Sequence, residues 1–252
     1  NHSPTSIERD EWRVLKCEAC DFVYLSDVPG PQAFAEEFAW DKTVELEKKR
    51  RKREQPVLQW LDEKTRWRLH MFARPETRAF VEKLAPDGPV LDLGCGDGRH
   101  AMALTERFVP FGVEIAPNLA HAANEAFGRR GGFCLSDGSL TALPRFDDGL
   151  FAAAMLNSYL EHEPWPREVL SLLRPKMRQD GVVIIKVPNF GSWNAAVMGP
   201  NWCGVRLPDH VNYFTWRSLA SLCADSGFRV EKPPTWVNLP TNDNMWAILR
   251  PA

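Results

Sequence analysis

The densest run of chemistry in the chain is Asp92-Leu93-Gly94-Cys95-Gly96-Asp97-Gly98, where three glycines alternate behind an acidic residue. Glycine lets the backbone take φ values that other residues avoid and approach a ligand with no Cβ in between. A helix that follows such a turn offers free N–H groups to a carboxylate or phosphate. Glu114 stands 22 residues after Asp92 at the end of the next apolar run, where a carboxylate takes two ribose hydroxyls in a bidentate grip. Asp137 follows the run after that and is placed to accept from an adenine amino group. A G-x-G motif is shared with dinucleotide-binding dehydrogenases, whose third glycine falls three residues after the second. Here that position is Arg99 and the third glycine is Gly98, which disfavours a nicotinamide-dependent oxidoreductase. Singly these residues make a plain turn and solvated strand ends; in register they define a ligand site. Cys95 reads as a small hydrophobe packed under the turn rather than as a nucleophile.

Two histidines fall where such a sheet gathers its ligands. His210 lies in Leu207-Pro208-Asp209-His210-Val211-Asn212-Tyr213-Phe214, inside a long segment after the fifth strand. A histidine near its unperturbed pKa is a base at neutral pH, and His210 is the leading candidate for that role, balanced against one as a pin of the loop. His162, near the end of the fourth strand, reads rather as a residue that holds its loop or lies above the cofactor, and Tyr213 stands in reserve. Asn189, Trp193, Trp202 and Arg206 are the candidate acceptor-binding residues. Loop anchoring is as common a use of tryptophan, and a surface position is the plainer reading of Arg206. His2, His70, His100 and His121 have no such placement.

These side chains need elements to hold them. From Pro89 onward short apolar runs alternate with helical periods, the signature of a doubly wound α/β sheet. Strands are expected at 90–93, 111–115, 133–136, 150–156, 182–187, 228–230 and 245–249, and helices at 99–108, 118–127, 166–177 and 215–226, with Gly227 as the last C-cap. The run Val182-Val183-Ile184-Ile185 has the look of a central parallel strand. The expected fold is therefore Rossmann-like α/β, with a seven-stranded, mostly parallel sheet whose last strand is antiparallel, spanning residues 85–252. Ahead of it, residues 1–40 read as a hairpin around Cys17 and Cys20, closed by the break Pro29-Gly30-Pro31. Residues 41–84 read as a helical extension with a start signal at Pro56 and an apolar stripe through Leu58, Leu61, Trp67 and Met71. Residues 188–214 form an insertion rich in Gly, Pro, Asn and Trp, and loops of that length are usually functional.

In order and spacing, the blocks VLDLGCGDGRHAMAL, GVEIAPNLAHAA, CLSDGSLTALP, LEHEPWP and DGVVIIKVPN resemble the class I methyltransferases of the ubiquinone-biosynthesis and sugar-methyltransferase type, over about Pro89 to Phe228. The resemblance implies S-adenosylmethionine as cofactor and S-adenosylhomocysteine as product. It places Asp92, Gly94 and Gly96 around the methionine moiety, Glu114 at the ribose, Asp137 and Gly138 at the adenine, and Asn157 toward the reacting sulfonium, with Cys95 and Ile115 also among the cofactor-binding residues. Leu160-Glu161-His162 resembles a family signature, as does the pattern that holds His210. Ala152 departs from the aspartate that often follows at that point. Methyl transfer from a sulfonium is an in-line displacement in which the cofactor supplies the leaving group, so the protein aligns the acceptor and takes its proton. The implied function is methylation of a small-molecule acceptor at O or C, with an RNA-directed methyltransferase or a non-catalytic cofactor-binding module as alternatives. Cys17-Glu18-Ala19-Cys20 looks like the second knuckle of a zinc ribbon that precedes the domain in some relatives. It supplies two of four ligands, so no metal is expected there.

The 252 residues are 44% hydrophobic with a net charge of −2, enough for one sizeable domain and an appendage. No run approaches the roughly 18 apolar residues that cross a bilayer, and the polar start has no signal-peptide core, so no membrane partner and a cytoplasmic setting are expected. The six cysteines are scattered and give no disulfide framework. Near-neutral charge offers no general attraction for nucleic acid. The basic run Lys48 to Arg53 points all round a helix and is diluted by Glu45, Glu47 and Glu54, so it reads as a solvated surface rather than as an RNA stripe.

Overall fold

The structure, a computed structural model, describes residues 2–30 and 76–252 together with a few helical positions between 49 and 60. The stripe through Leu58, Leu61, Trp67 and Met71, His70, and most of the expected extension at 41–84 lie outside the described residues. Of the basic run, Lys49, Arg50, Lys52 and Arg53 are helical, and all but Arg50 are exposed.

Three antiparallel strands open the chain: β1 (His2–Arg9), β2 (Trp12–Cys17) and β3 (Val23–Leu25). After α1 (Thr77–Leu84) the α/β alternation begins with β4 (Gly88–Leu93), α2 (Arg99–Met102), β5 (Phe108–Glu114), α3 (Pro117–Gly128), β6 (Cys134–Ser136) and α4 (Ser139–Ala142). It continues through β7 (Phe151–Asn157), α5 (Pro166–Lys176), β8 (Met177–Pro188), α6 (Trp193–Met198), β9 (Asn212–Tyr213), α7 (Trp216–Asp225), β10 (Phe228–Glu231) and β11 (Asn244–Pro251).

Seven strands form one sheet in the order β10-β11-β8-β7-β4-β5-β6. Strands β4 to β8 pair in parallel, and β11 runs antiparallel to both its neighbours, which matches the expected Rossmann-like sheet with an antiparallel last strand. Residues Val182 to Ile185 of β8 are fully buried, as an apolar run between two partner strands must be. The chain enters the sheet at β4 and winds outward in both directions. The crevice at the carboxyl ends of β4 and β7 is thus a topological switch point, where folds of this kind bind ligands.

Two departures from the sequence expectation matter for the site. The helix expected at 99–108 stops at Met102, because tertiary contacts override its periodicity. Glu82 Oε1 accepts the Thr105 N–H at 2.6 Å, and the Arg130 guanidinium donates to the carbonyls of Met102, Leu104 and Phe108 that the helix leaves free. The N-terminal hairpin is also not free-standing. Strand β9, drawn from the long insertion after β8, pairs with β3 through Val23–Tyr213 and Tyr24–Asn212, so both segments share one four-stranded sheet, β1-β2-β3-β9. Its own small core gathers Ile7, Val14, Leu25, Trp202, Val211 and Tyr213.

Candidate active site

At the end of β4 the glycines take the left-handed conformations their spacing called for, with φ of +68° at Gly94, +57° at Gly96 and +81° at Gly98. Tyr159, from the turn after β7, lies directly over Gly94, where a Cβ would fall 2.7 Å from its Cδ2. Above Gly96 and Gly138 a Cβ would meet nothing within 4 Å, so the loop faces open space. Glu114 ties this loop to β5: Oε2 accepts the Gly96 N–H and Oε1 the Ala116 N–H, both at 2.9 Å. Asp92 is buried, and its Oδ2 has no hydrogen-bond partner. Burial, with the nearby Glu114 carboxylate, pushes its pKa up to about 8.

Asp137, half-buried after β6, accepts the Gly138 N–H at 2.8 Å. Ile115 is 41% exposed beyond Glu114. Asn157, at the end of β7, accepts a hydrogen bond from the Thr77 hydroxyl at 3.0 Å. Cys95 sits beneath the loop, 4% exposed, with its Sγ 3.5 Å from that of Cys134. The contact with Cys134 and burial hold its thiol well above the usual range, which removes it as a nucleophile.

On the other side of the switch point the turn after β7 meets the insertion after β8. The Glu161 carbonyl accepts the N–H groups of Val211 and Asn212 at 2.7 and 3.1 Å, and the Asn212 amide donates to the carbonyls of Leu160 and Glu163 at 2.8 and 2.7 Å. Stitched together, the two segments border an open-mouthed cavity of about 200 Å³ whose lining includes Ser158, Glu161, His162, Arg206, His210 and Asp243. The His162 Nδ1–H donates to Asp209, whose Oδ1 is 2.8 Å away and whose carbonyl is 2.9 Å away. Arg206 pairs with the other oxygen of that carboxylate. His210, 4% exposed, meets His162 edge to face at 4.7 Å between ring centroids. Its Nδ1 lies 2.8 Å from the Gly204 carbonyl, which can only accept, so Nδ1 carries the hydrogen.

Burial alone would lower the His162 imidazole, but the Asp209 carboxylate outweighs it and holds the ring above its ordinary value. His210 has no such partner; burial and the neighbouring His162 keep it well below the ordinary value, hence neutral with a bare Nε2. Burial also pushes up the Glu161 carboxyl, whose Oε2 has no hydrogen-bond partner. Asp209 goes the other way, since the charge and hydrogen bond of His162, with Arg206, overcome its burial and bring it down to about 2.

The structure thus brings His162, His210 and Arg206 to one cavity and leaves other candidates out of it. Arg206 is no surface residue: its side chain is 17% exposed and ion-paired. Trp202 is 2% exposed in the small sheet's core and donates from Nε1 to Asp243 at 2.7 Å, an anchor rather than a pocket wall. Tyr213 is a core residue of β9, edge to face with Phe190, and is not among the residues that line the cavity. Trp193 is 65% exposed on α6, away from the cavity lining. Asn189 spends its amide on its own turn, accepting from Gly191 and donating to the Asn242 carbonyl. Sequence reasoning missed Glu161, Asp209 and Asn212. The signal available was that each candidate histidine directly follows a carboxylate, in Glu161-His162 and Asp209-His210.

A mostly parallel sheet whose switch point lies beside a glycine loop, with an orphaned buried carboxylate oxygen next to it, has the features of a nucleotide-cofactor site. The sequence matches the methyltransferase-domain family over residues 65–232, and the chain belongs to that family. No curated protein sequence matches it. Among solved structures it is similar to a SAM-dependent methyltransferase from Archaeoglobus fulgidus, with 18% identity, TM-score 0.55 and coverage of 77% of this chain and 99% of that one. A SAM-dependent methyltransferase from Thermotoga maritima aligns with 21% identity and TM-score 0.53 over 76% of this chain and 95% of that one. A TehB-like SAM-dependent methyltransferase from Corynebacterium glutamicum aligns with 15% identity and TM-score 0.53 over 76% and 97%. At these identities the likeness is one of fold. The chain is a methyltransferase of the Rossmann-like class, its cofactor is S-adenosylmethionine, and among the described residues no helix is long and apolar enough to cross a membrane.

Proposed function

We propose that the protein methylates a small molecule at an oxygen or an acidic carbon, with the acceptor held in the cavity between the turn after β7 and the insertion after β8. The observation that carries this reading is the open-mouthed cavity of about 200 Å³ beside the switch point, with His162 and His210 on its wall. Space of that kind suits a compact acceptor. On the cofactor side, Asp92 meets the methionine moiety above Gly94 and Gly96, Glu114 the ribose, and Asp137 with Gly138 the adenine. Asn157 then faces the sulfonium. The Glu161–His162–His210 cluster handles the proton of the acceptor, with Glu161 joining the two histidines. Once S-adenosylmethionine is bound, it supplies the methyl group and the leaving group, and the chain's own residues orient the acceptor in line and exclude water.

Calorimetry with S-adenosylmethionine, S-adenosylhomocysteine and NAD, followed by an acceptor screen that detects S-adenosylhomocysteine release, tests this reading. Turnover is expected with a hydroxylated or carbon-acid small molecule and not with RNA. Release driven by RNA alone would overturn the small-molecule reading, and tight binding of NAD without S-adenosylhomocysteine would overturn the cofactor assignment.

A further inference from the structure

Glu161, His162 and His210 come from two segments distant in sequence, yet one donor atom of each lies within 4.8 Å of the others. All three line the cavity. Their remaining atoms are arranged as ligands are in metal sites. Metal-binding histidines nearly always donate their second ring N–H to a carboxylate or a backbone carbonyl, which fixes the tautomer and aims the bare nitrogen. His162 donates from Nδ1 to Asp209, and His210 from Nδ1 to the Gly204 carbonyl. That leaves Nε2 on each ring to bind. The Glu161 side chain is 1% exposed and its Oε2 has no hydrogen-bond partner. A buried carboxylate oxygen without a partner is costly, and a cation is one way to satisfy it.

We propose that Glu161, His162 and His210 bind one first-row divalent cation, of which Zn²⁺ is the type, with a remaining coordination position open to the cavity. Two imidazoles and one carboxylate are a donor set known from catalytic zinc and from non-haem iron sites, which keep such positions free. The inference rests on the small-molecule reading above and changes one step of it: the three side chains hold the cation instead of taking the proton themselves, and the cation takes the acceptor's oxygen. It lowers that group's pKa as it does a bound water's, and the O–H proton leaves to solvent. The oxygen lone pair then forms the O–CH₃ bond while the C–S bond of S-adenosylmethionine breaks, its electron pair returning to sulfur to give neutral S-adenosylhomocysteine. No electron changes hands, and no further reactant is needed.

The test uses the full chain, stripped with a chelator and titrated with ZnCl₂, with Co²⁺ as a visible-absorbing substitute. One Zn²⁺ per chain is expected. Glu161→Gln, nearly the same in shape, and His210→Ala should each weaken binding by ~100-fold or more, and Asp209→Asn, which acts through His162, by roughly 10- to 100-fold. S-adenosylhomocysteine affinity reports that each variant is folded and should not change. A Cys17→Ser/Cys20→Ser variant removes the competing thiol pair and should still bind one Zn²⁺. Absence of stoichiometric Zn²⁺, or Zn²⁺ binding that survives both Glu161→Gln and His210→Ala, overturns the site. Binding is measured without an acceptor, so it stands or falls separately from the substrate reading. If Zn²⁺ binds yet turnover on a found acceptor is the same with and without chelator, the cation's role in the transfer is overturned and the histidines act as free bases.

Discussion

The Nδ1–H of His162 is shared between the carboxylate and the backbone carbonyl of one residue, Asp209, at 2.8 and 2.9 Å. A residue of the insertion after β8 therefore fixes the ring that the turn after β7 supplies. Because Arg206 holds the other carboxylate oxygen and His210 follows Asp209 directly, the four side chains form one unit whose parts cannot move independently. Asp209 is 3% exposed, so its carboxylate is shielded from solvent, while His162 and Arg206 are partly exposed at 20% and 17% of their side chains.

Asp209→Asn keeps the shape of the side chain but leaves Arg206 and His162 without their counter-charge. Breaking a buried pair from one side costs about 3–5 kcal/mol, and the partial exposure of Arg206 brings the expectation nearer to about 2–4 kcal/mol. Urea denaturation should show the loss as a lowered midpoint with little change in slope. Unchanged stability would mean that the insertion is held by its backbone contacts alone.

Most of this architecture was legible in the sequence, and the reasons differ by element. The central strands of the main sheet announce themselves because burial on both faces demands unbroken apolar runs such as Val182 to Ile185. The glycine loop was legible because its conformations admit few other residues. Strand β9 was not, since two residues have no period and Asn212 is in the sheet for the backbone contacts its amide makes. The cavity was half legible. His162 and His210 stood out by type, whereas the orientation of Asp209 and Glu161 depends on how two segments about 40 residues apart are stitched together, which no local pattern encodes.

Glu114→Ala should weaken S-adenosylhomocysteine binding by about 2–4 kcal/mol, through the loss of charge-assisted hydrogen bonds to the ribose hydroxyls. The same carboxylate holds the Gly96 and Ala116 N–H groups, so the glycine loop should loosen as well. Calorimetry measures the first effect and hydrogen exchange at residues 94–98 the second. Full affinity in this variant would remove Glu114 from the cofactor site.

Gly94→Ala places a methyl group 2.7 Å from the Tyr159 ring, at a φ of +68° that alanine resists. The ring cannot easily give way, because its hydroxyl is held by Ser139 Oγ at 2.7 Å and by Glu163. The expected cost is about 1–3 kcal/mol in stability, with weakened cofactor binding. Pairing the change with Tyr159→Ala separates its two causes. The double variant should recover the steric part and keep the backbone part, and a strictly additive double variant would show that the contact with Tyr159 does not matter.

The last prediction turns on Asp92, whose buried carboxyl titrates at about 8 in the empty fold, with Oδ2 unpartnered. Its unfolded value is roughly 3.9. Between these two the folded chain binds one proton more than the unfolded chain, so this group's contribution to stability is complete below the unfolded value and is lost as pH rises toward the folded one. On the proposed placement of the methionine moiety, the α-ammonium of the cofactor would reverse the balance, since a cation beside a buried carboxylate favours its charged form. Binding near neutral pH should then release the proton of Asp92. Affinity for S-adenosylhomocysteine should climb as pH rises from roughly 6 to 8, approaching tenfold per unit at its steepest, and level off above. Calorimetry in two buffers of different ionisation enthalpy would register the released proton directly as a buffer-dependent heat. Asp92→Asn, which has no proton to lose, should bind more weakly and without that dependence. A wild-type affinity that stays flat across this range, with no buffer-dependent heat, would place the ammonium elsewhere and leave Asp92 as a neutral support of the glycine loop.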